Sequence, residues 1–452
     1  MFNLFFKKGV KCKGIFTGKG LFIIFIYVGV NLLLAINANA TDPLINTTSS
    51  SRYLRDVNNQ PLLNSYDTNY IEKNCNGATF AQVVTINIDT DLGAVIDSFL
   101  DKDSKLYSPD YWVKFDEVST VANRSVIPWT PKNGEKKGLL IYLGSGTYKI
   151  QQILDYFVSY KKSDLTGPRI GLCGFNDKNS QYGARLLLNS DNNNEPLRPS
   201  FFISMAQLEL YNLNINADYV NPDVAAIGLA NGGKLLMDGV IFSRNGNDIQ
   251  DSEVGLVDNY KSYVSIKASQ LKQDTNTGTV IQTAQGVVNC GEESLISVTQ
   301  GVNVFKGFSN EINLRSCHFN SQANKALKSN PVFFYDNFDE VNVADCTVEQ
   351  YKFCKEFPEE RANDSDTCAK YVAMCDTKAN VFDIRDNTFT GHWKYIFRSR
   401  WSSFPLQDSN KFATDSNGVK AGSFEECADK GSFSIYGNFL FDSERCVNRI
   451  IW

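Results

Sequence analysis

Two arginines and two aspartates occupy equivalent positions in a short segment that recurs toward the C-terminal end of the chain. Three copies of this segment place Arg315 and Arg385 at the fourth position, and Asp345 and Asp386 at the fifth. Neighbouring carboxylates can bind Ca²⁺ or share a proton, and an arginine can bind a uronate carboxylate through two parallel hydrogen bonds. We predict that all four are candidate catalytic residues, with Asp345 and Asp386 as candidate Ca²⁺ ligands. The alternative is a solvent-facing ladder of ion pairs.

An aromatic and basic run, HWKYIFRSRW at residues 392–401, is the second candidate site. Flat aromatic rings beside cations suit stacking on sugar rings together with pairing to carboxylates. The same composition also suits single-stranded nucleic acid. The alternative without function is that the rings cover the side of the fold while the cations stay in solvent. The predicted substrate-binding residues are Trp393, Tyr395, Arg398, Arg400 and Trp401.

The first set of candidates belongs to an eight-residue template that recurs along the chain. Positions one, three and eight are apolar, whereas positions four and five are mostly polar or glycine. Alternating polarity is typical of a half-buried strand, and the break predicts a strand that bends and continues as another. The long interval between residues 264 and 312 predicts a degenerate copy near residue 288. Short strands at this period indicate a solenoid. The copies are LELYNLNI, LLMDGVIF, VSIKASQL, INLRSCHF, VNVADCTV, FDIRDNTF and FSIYGNFL, which begin at residues 208, 235, 264, 312, 341, 382 and 433.

The template assigns directions to the cysteine and histidine of the copy INLRSCHF. Cys317 stands at the sixth position and should face inward, stacked over Cys346 of the next copy and followed in the same row by Asn387. Strand spacing permits either a thiol pair or a disulfide there. His318, one of two histidines in the chain, should face outward in a row without an acid or a nucleophile. We therefore predict no catalytic role for His318.

Two segments before the repeats carry a family resemblance. KGLLIYLGSGTYKI at residues 137–150 and RIGLCGFN at residues 169–176 are similar to the opening of pectin-lyase-like proteins, and the resemblance extends over residues 80–450. It implies an all-β fold, a right-handed parallel β-helix (solenoid) with a short N-terminal helical cap and long loop insertions near the C-terminus. The catalytic signatures of polygalacturonase-like, pectate-lyase-like and pectinesterase-like enzymes are not found in the sequence. The resemblance therefore implies a fold and no particular activity.

The first 40 residues have the pattern of a secretory signal peptide. A lysine-rich start without acidic residues is followed by an apolar run and by the small-residue site Ala38-Asn39-Ala40. The alternative is an uncleaved membrane anchor. We predict a secreted protein, periplasmic or extracellular, without a membrane span after signal removal. The whole chain has 45 basic and 50 acidic residues. Loss of the signal lysines makes the mature chain more acidic, which argues against nucleic acid as its partner.

The remaining sequence divides by composition. Residues 89–103, DTDLGAVIDSFLDKD, have helical spacing, and the resemblance suggests that this helix caps the N-terminal end of the solenoid. The predicted organisation is a signal peptide at residues 1–40, a polar leader at 41–80, a capping region at 81–136, and a β-helix at 137–452 with insertions at 350–380 and 390–432.

Cysteine usage agrees with export. The chain has 11 cysteines, of which one leaves with the signal, and the even remainder permits disulfides. We predict at least one bridge among Cys354, Cys368 and Cys375, because a long polar loop gains from covalent closure. A second bridge should join Cys427 to Cys446. The scarcity of histidine and the absence of a C-x-x-C pair argue against a zinc site.

Two function classes remain open from the sequence. The first is a secreted β-helix protein that binds an acidic polysaccharide or cell-surface glycan. It could also cleave that glycan, as a polysaccharide lyase with an arginine base or as a glycoside hydrolase. Ca²⁺ is the cofactor that the carboxylates suggest. The second class is a non-catalytic adhesin or structural module, which the missing catalytic motifs favour.

Overall fold

The computed structural model describes residues 65–398 with gaps, and five two-residue strands beyond them. The predicted signal peptide, the leader up to residue 64, and most of the insertion at 390–432 lie outside the described residues. The gaps before residue 398 are residues 87, 89, 116, 119–124, 151–153, 158–165, 176–182, 190–198, 247–254, 309, 324–330, 336–352, 355, 358, 360, 363–365, 369–380, 392 and 394.

Three parallel sheets make up most of the described chain, and we number them in the order in which each coil passes through them. Sheet 1 contains Gln82–Ile86, Leu139–Leu143, Thr166–Gly174, Gln207–Tyr211, Lys234–Asp238, Tyr263–Lys267, Val287–Gly291, Glu311–Arg315 and Val381–Arg385, with Trp112–Lys114 added antiparallel. Sheet 2 contains Gly146–Ile150, Ala184–Asn189, Asn214–Tyr219, Ile241–Gly246, Gln270–Thr275, Leu295–Val298, His318–Ser321, Thr388–Thr390 and Lys411–Phe412. Sheet 3 contains Leu154–Phe157, Phe201–Ser204, Ile227–Ala230, Val257–Tyr260, Gly278–Ala284, Val302–Phe308, Val332–Tyr335 and Tyr395–Arg398.

The smaller elements lie at the ends and in the loops. The described helices are Ser65–Asn74 and Leu92–Leu100, with 3-10 turns at Gly77–Thr79 and Pro109–Tyr111. The second helix confirms the one predicted within residues 89–103, and its first turn is capped by the Asp91 side chain, which accepts from the Ala94 amide at 3.2 Å. No helix among the described residues is both long and apolar enough to cross a membrane. The two-residue strand pairs are Glu117–Val118 with Ser125–Val126, Arg361–Ala362 with Asp366–Thr367, Phe404–Pro405 with Ile435–Tyr436, and Phe439–Leu440 with Arg449–Ile450.

The repeat template is the repeating unit of the solenoid. Its first residue keeps register from coil to coil, so that Leu208 pairs with Leu235, Leu235 with Val264, and Val264 with Val288. Val288 in turn pairs with Ile312, which confirms the degenerate copy predicted near residue 288. Because strands of each sheet follow one another in chain order, the predicted parallel solenoid architecture is confirmed.

The polar break in the template is a corner between sheets 1 and 2. The fifth residue of each regular copy has a left-handed backbone, with φ between 44° and 68°, in Asn212, Gly239, Ala268, Ser316 and Asp386. Such a residue turns the chain in a single step and shifts the alternation that follows it. In the copy at residue 288, both Glu292 and Glu293 are left-handed, and this extra residue explains why its sequence matches the template poorly.

Side chains at the sixth position close the corner from inside. The backbone amide of Val240 donates to the Ser269 hydroxyl at 3.0 Å, and the amide of Ser269 donates to the Ser294 hydroxyl at 3.2 Å. The amide of Cys317 donates to Oδ1 of Asn387 at 2.9 Å. These buried polar residues satisfy amides that the bend removes from regular sheet pairing. The predicted inward direction of Cys317 and Asn387 is confirmed.

The order of the coils differs from the prediction at one place. Glu311–Arg315 pairs directly with Val381–Arg385, so Arg315 has Arg385 as its Cα partner. The copy at residue 341 was expected between them, and its residues lie outside the described chain. The coil is closed by the sheet 3 strand Val332–Tyr335, after which sheet 1 continues at Val381. The strand that stacks on Glu311–Arg315 therefore comes from the copy at residue 382, which the sequence placed one coil further on.

Replacement of Ala268 by glycine should stabilise the protein. Ala268 is exposed and has φ of 44°, a conformation that costs an L-residue about 1–2 kcal/mol and glycine little. We expect Ala268→Gly to raise the free energy of unfolding by about 1 kcal/mol in urea denaturation. The matched control is Ala284→Gly in a regular strand, which should lower it. Equal losses in both variants would contradict the left-handed corner.

Candidate functional site

The best-formed charged cluster on the outer face of sheet 1 is the arginine site, which consists of Arg315, Asp383 and Arg385. Nε and Nη2 of Arg385 donate to the two oxygens of Asp383 at 2.6 and 2.7 Å. Nη2 of Arg315 donates to Oδ2 of the same carboxylate at 2.6 Å. The side chains of Arg315, Asp383 and Arg385 are 59%, 25% and 35% exposed, so the site faces solvent.

One carboxylate therefore holds two arginines side by side. The hydrogen bond from Arg385 is the main reason why the pKa of Asp383 lies below its usual value. The same hydrogen bond raises the pKa of the Arg385 guanidinium above its usual value. Arg385 is thus held as a cation, and within the described residues the other N–H groups of both guanidinium groups remain open to a ligand.

Sequence reasoning found the arginines but missed Asp383, their common partner. The signal was available, because Asp383 stands at the second position of the template, whose side chains face outward. The prediction instead used the fifth position. Asp386 there is exposed at the left-handed corner, and Asp345 lies outside the described residues. In the part of the chain described, no group of three or more His, Cys, Asp or Glu side chains is placed to hold a metal ion.

A row of amides and hydroxyls continues from the arginine site along the same face. Asn313 pairs with Asp383 in the register of the sheet, and its Nδ2 donates to Oδ1 of Asn289 at 2.9 Å and to Oε1 of Glu311 at 3.0 Å. Nδ2 of Asn289 in turn donates to the hydroxyl of Tyr263. All four side chains belong to half-buried residues, so they are ordered by each other and still reach the surface. We call Tyr263, Asn289, Glu311 and Asn313 the polar row.

Toward the N-terminal end, the same face carries an ion pair that is buried beneath N-terminal segments. Nε and Nη2 of Arg169 donate to the two carboxylate oxygens of Glu209 at 2.5 and 2.9 Å. The guanidinium lies between the rings of Phe80 and Trp129, 3.8 and 4.8 Å from their centroids. Gln207 completes the network through Nε2, which donates to Glu209 at 2.6 Å. The N-terminal segments therefore close this half of the face and leave the polar row and arginine site open.

Two further polar side chains are enclosed beside this ion pair. The Tyr211 hydroxyl donates to Glu209. Burial, together with the Glu209 carboxylate, raises the pKa of Tyr211 well above the usual value. Lys234 is fully buried, with Nζ donating to the carbonyl of Gly232 and lying 3.2 Å from the centre of the Phe115 ring. Burial holds the pKa of Lys234 well below its usual value. Both groups already have partners inside the protein, so they belong to the cover and not to a site.

Of the five residues predicted to form the aromatic and basic site, Trp393 is the one whose side chain the structure describes. Trp393 is fully buried, its Nε1 donates to the carbonyl of Thr390 at 2.9 Å, and its ring packs edge-on against Phe333 and Phe389. Trp393 is thus a core residue and is not exposed for stacking on a sugar ring. The backbones of Tyr395 and Arg398 form a strand of sheet 3, whereas Arg400 and Trp401 lie outside the described residues.

His318 occupies the position that the template predicted. It is exposed on sheet 2, and its Cα partner in the next coil is Thr388. Trp393, the candidate of similar prominence in the sequence, is a core residue instead. Neither of these conspicuous residues therefore belongs to the candidate site, which lies on the outer face of sheet 1.

Three cysteine pairs lie at disulfide distance in the described part of the chain. The Cys354–Cys368 pair confirms the bridge predicted within the polar insertion. Cys317 is paired with Cys290 of the preceding coil, so the predicted stack with Cys346 is wrong. Cys290 stands at the third position of its copy and Cys317 at the sixth, so a comparison of like positions in the template could not show this pair. The third pair joins Cys75 to Cys173, and Cys375, Cys427 and Cys446 lie outside the described residues.

Comparisons with known proteins assign no family to this chain. No family model, curated protein or solved structure matches it. The functional argument therefore depends on the geometry of the outer faces of the solenoid.

Loss of the Glu209 charge should destabilise the protein, because its partner Arg169 is buried at the covered end of sheet 1. Glu209→Gln leaves the Arg169 guanidinium buried without a counter-charge, which should lower the free energy of unfolding by about 3–5 kcal/mol in urea denaturation. The control is Glu292→Gln, because Glu292 forms an exposed pair with Lys267 at 3.2 Å and should contribute less than about 1 kcal/mol. A similar small loss in both variants would contradict the buried ion pair.

Proposed function

We propose that this protein is an exported, right-handed parallel β-helix of pectin-lyase-like type that binds an acidic polysaccharide along the open half of the outer face of sheet 1. The right hand is supported by the general preference of parallel strand crossovers. The N-terminal sequence pattern and the disulfide-distance cysteines support export. The arginine site carries the functional part of the proposal.

The arginine site suits carboxylates that repeat along a polymer. Arg315 and Arg385 come from adjacent coils, which stack about 4.8 Å apart. Asp383 uses only some of their donors, and it fixes both guanidinium planes before a ligand arrives. A fixed guanidinium loses less freedom on binding, and it recognises a carboxylate through two N–H groups. Successive acidic sugars of one chain could therefore pair with successive arginines.

The polar row favours a polysaccharide over a small organic acid as the ligand. Tyr263, Asn289 and Asn313 lie on three consecutive coils and present hydroxyl and amide groups beside the arginine site. Such groups both donate and accept hydrogen bonds, which matches sugar hydroxyls. The face therefore offers carboxylate recognition at one end and hydroxyl recognition along its length.

The pairing of Arg385 with Asp383 favours binding without cleavage. An arginine base in β-elimination must give up a proton, and the carboxylate raises the pKa of Arg385 above its usual value. This observation favours the non-catalytic class, an extracellular glycan-binding or adhesin module. The proposed function is therefore binding of the polysaccharide without cleavage.

The arginine site can be tested with polygalacturonate and alginate, with neutral amylose as the comparison polymer. Wild-type protein should bind one of the acidic polymers, and the double variant Arg315→Ala, Arg385→Ala should lose at least tenfold in affinity, about 1.4 kcal/mol. The control Arg185→Ala removes an exposed arginine from sheet 2 and should bind normally. Calorimetry at two salt concentrations should show weaker binding at high salt.

Three results would each overturn a part of this proposal. Failure of both acidic polymers to bind would remove acidic polysaccharide as the ligand class. Equal affinity of wild type and the double variant would remove the arginine site while leaving the ligand class open. Absorbance of unsaturated sugar products during the incubation would contradict binding without cleavage.

A further inference from the structure

The outer face of sheet 3 contains a carboxyl group, that of Asp258, without a partner among the residues that the structure describes. Asp258 stands between Val257 and Asn259, which are both fully buried, so its side chain points to the outer face. The residue is half-buried, and no described residue donates a hydrogen bond or an ion pair to its carboxyl group. Burial raises the pKa of Asp258 to about 7. A carboxyl group in this setting is costly to ionise unless a ligand supplies donors.

A second unpaired group adjoins it in the next coil. Gln282 is the Cα partner of Asp258, is 3% exposed, and has no hydrogen-bond partner for its buried Nε2. Buried side-chain amides in folded proteins are nearly always paired, and leaving one unpaired costs about 1–3 kcal/mol. An acceptor and a donor therefore lie side by side in one row, and the described part of the protein satisfies neither.

The two flanks of this pair have different chemistry. On one side Gly228 is the Cα partner of Asp258, and the Pro199 and Phe202 side chains lean over it, 2.9 and 3.3 Å from where a Cβ would be. On the other side Lys306 is the Cα partner of Gln282 and is 6% exposed. Gly228 and Gln282 do not titrate, so Lys306 is the nearest described charged group in the row. Tyr260 ends the strand that contains Asp258, and Lys261 follows it.

We propose that Asp258 and Gln282 form a second ligand site on sheet 3 that binds neighbouring hydroxyls of a neutral sugar ring. The carboxylate accepts from one hydroxyl while the Gln282 amide donates to the other. Phe202 and Pro199 offer an apolar surface for the ring beside them. A bare cation fits poorly, because the unpaired buried atom of Gln282 is a donor. The ligand class follows from the proposed glycan-binding function, but the residues are separate from the arginine site.

The site is tested by titrating methyl pyranosides of glucose, galactose and mannose, observed by saturation-transfer NMR. Wild-type protein should bind at least one of them at pH 8, and Asp258→Asn should weaken that binding at least fivefold. Wild-type affinity should fall as pH drops through about 7, because the protonated carboxyl accepts less strongly, whereas Asp258→Asn should show no such change. Gln282→Met gives a second loss without changing the charge.

The control variant is Asp223→Asn, an exposed aspartate on the loop between sheets 2 and 3, which should bind as wild type. Circular dichroism checks that each variant folds. Failure of all three pyranosides to bind wild-type protein, or unchanged affinity in Asp258→Asn, would overturn the sheet 3 site. A crystal structure with a single water between Asp258 and Gln282, and no sugar after soaking, would do so too. Because polygalacturonate binding is scored with the arginine variants, either proposal can fail while the other stands.

Discussion

The in-register stacking of parallel strands is the constraint on which the rest of this structure depends. Along the inner strands most residues have a Cα partner in the coil before and in the coil after, so a side chain that faces outward in one coil is continued outward in the next. Rows of inward-facing side chains form the core. At the corner they include Ser269, Ser294 and Asn387, which accept hydrogen bonds from backbone amides. Outward rows bring chemistry together from residues far apart in sequence, as Arg315 and Arg385 illustrate.

The charged side chains on the outer face of sheet 1 are paired in different ways at its two ends. At the N-terminal end the Arg169–Glu209 pair is enclosed by aromatic rings and by a segment tied down through Cys75 and Cys173, so its charges serve stability. At the other end Asp383 binds two arginines at the surface, where solvent screens the pair and it adds little stability. A surface cluster that contributes little to folding, and presents ordered donors, is suited to binding.

The sequence predicted the fold well because the template encodes it locally. Apolar positions one, three and eight, with a polar break between them, indicated paired strands around a corner, and the long interval indicated the hidden copy at residue 288. The template could not predict which copies stack, because the segments at residues 312, 341 and 382 look equally strand-like. That choice depends on where the coil closes, at Val332–Tyr335. Asp383, Asp258 and Gln282 were missed because their importance lies in partners, or in the lack of them, across coils.

The central claim is that the strand Glu311–Arg315 lies directly against Val381–Arg385, which brings the two arginines together. It is tested most directly by engineered cysteine pairs under mild oxidation, read by non-reducing electrophoresis and peptide mapping. The pair Glu311→Cys, Val381→Cys joins Cα partners and should cross-link readily, since neighbouring strands lie within disulfide reach. The comparison pair Glu311→Cys, Arg385→Cys joins positions four residues apart along the same two strands and should stay reduced. Cross-linking of the comparison pair, with none between positions 311 and 381, would contradict the account.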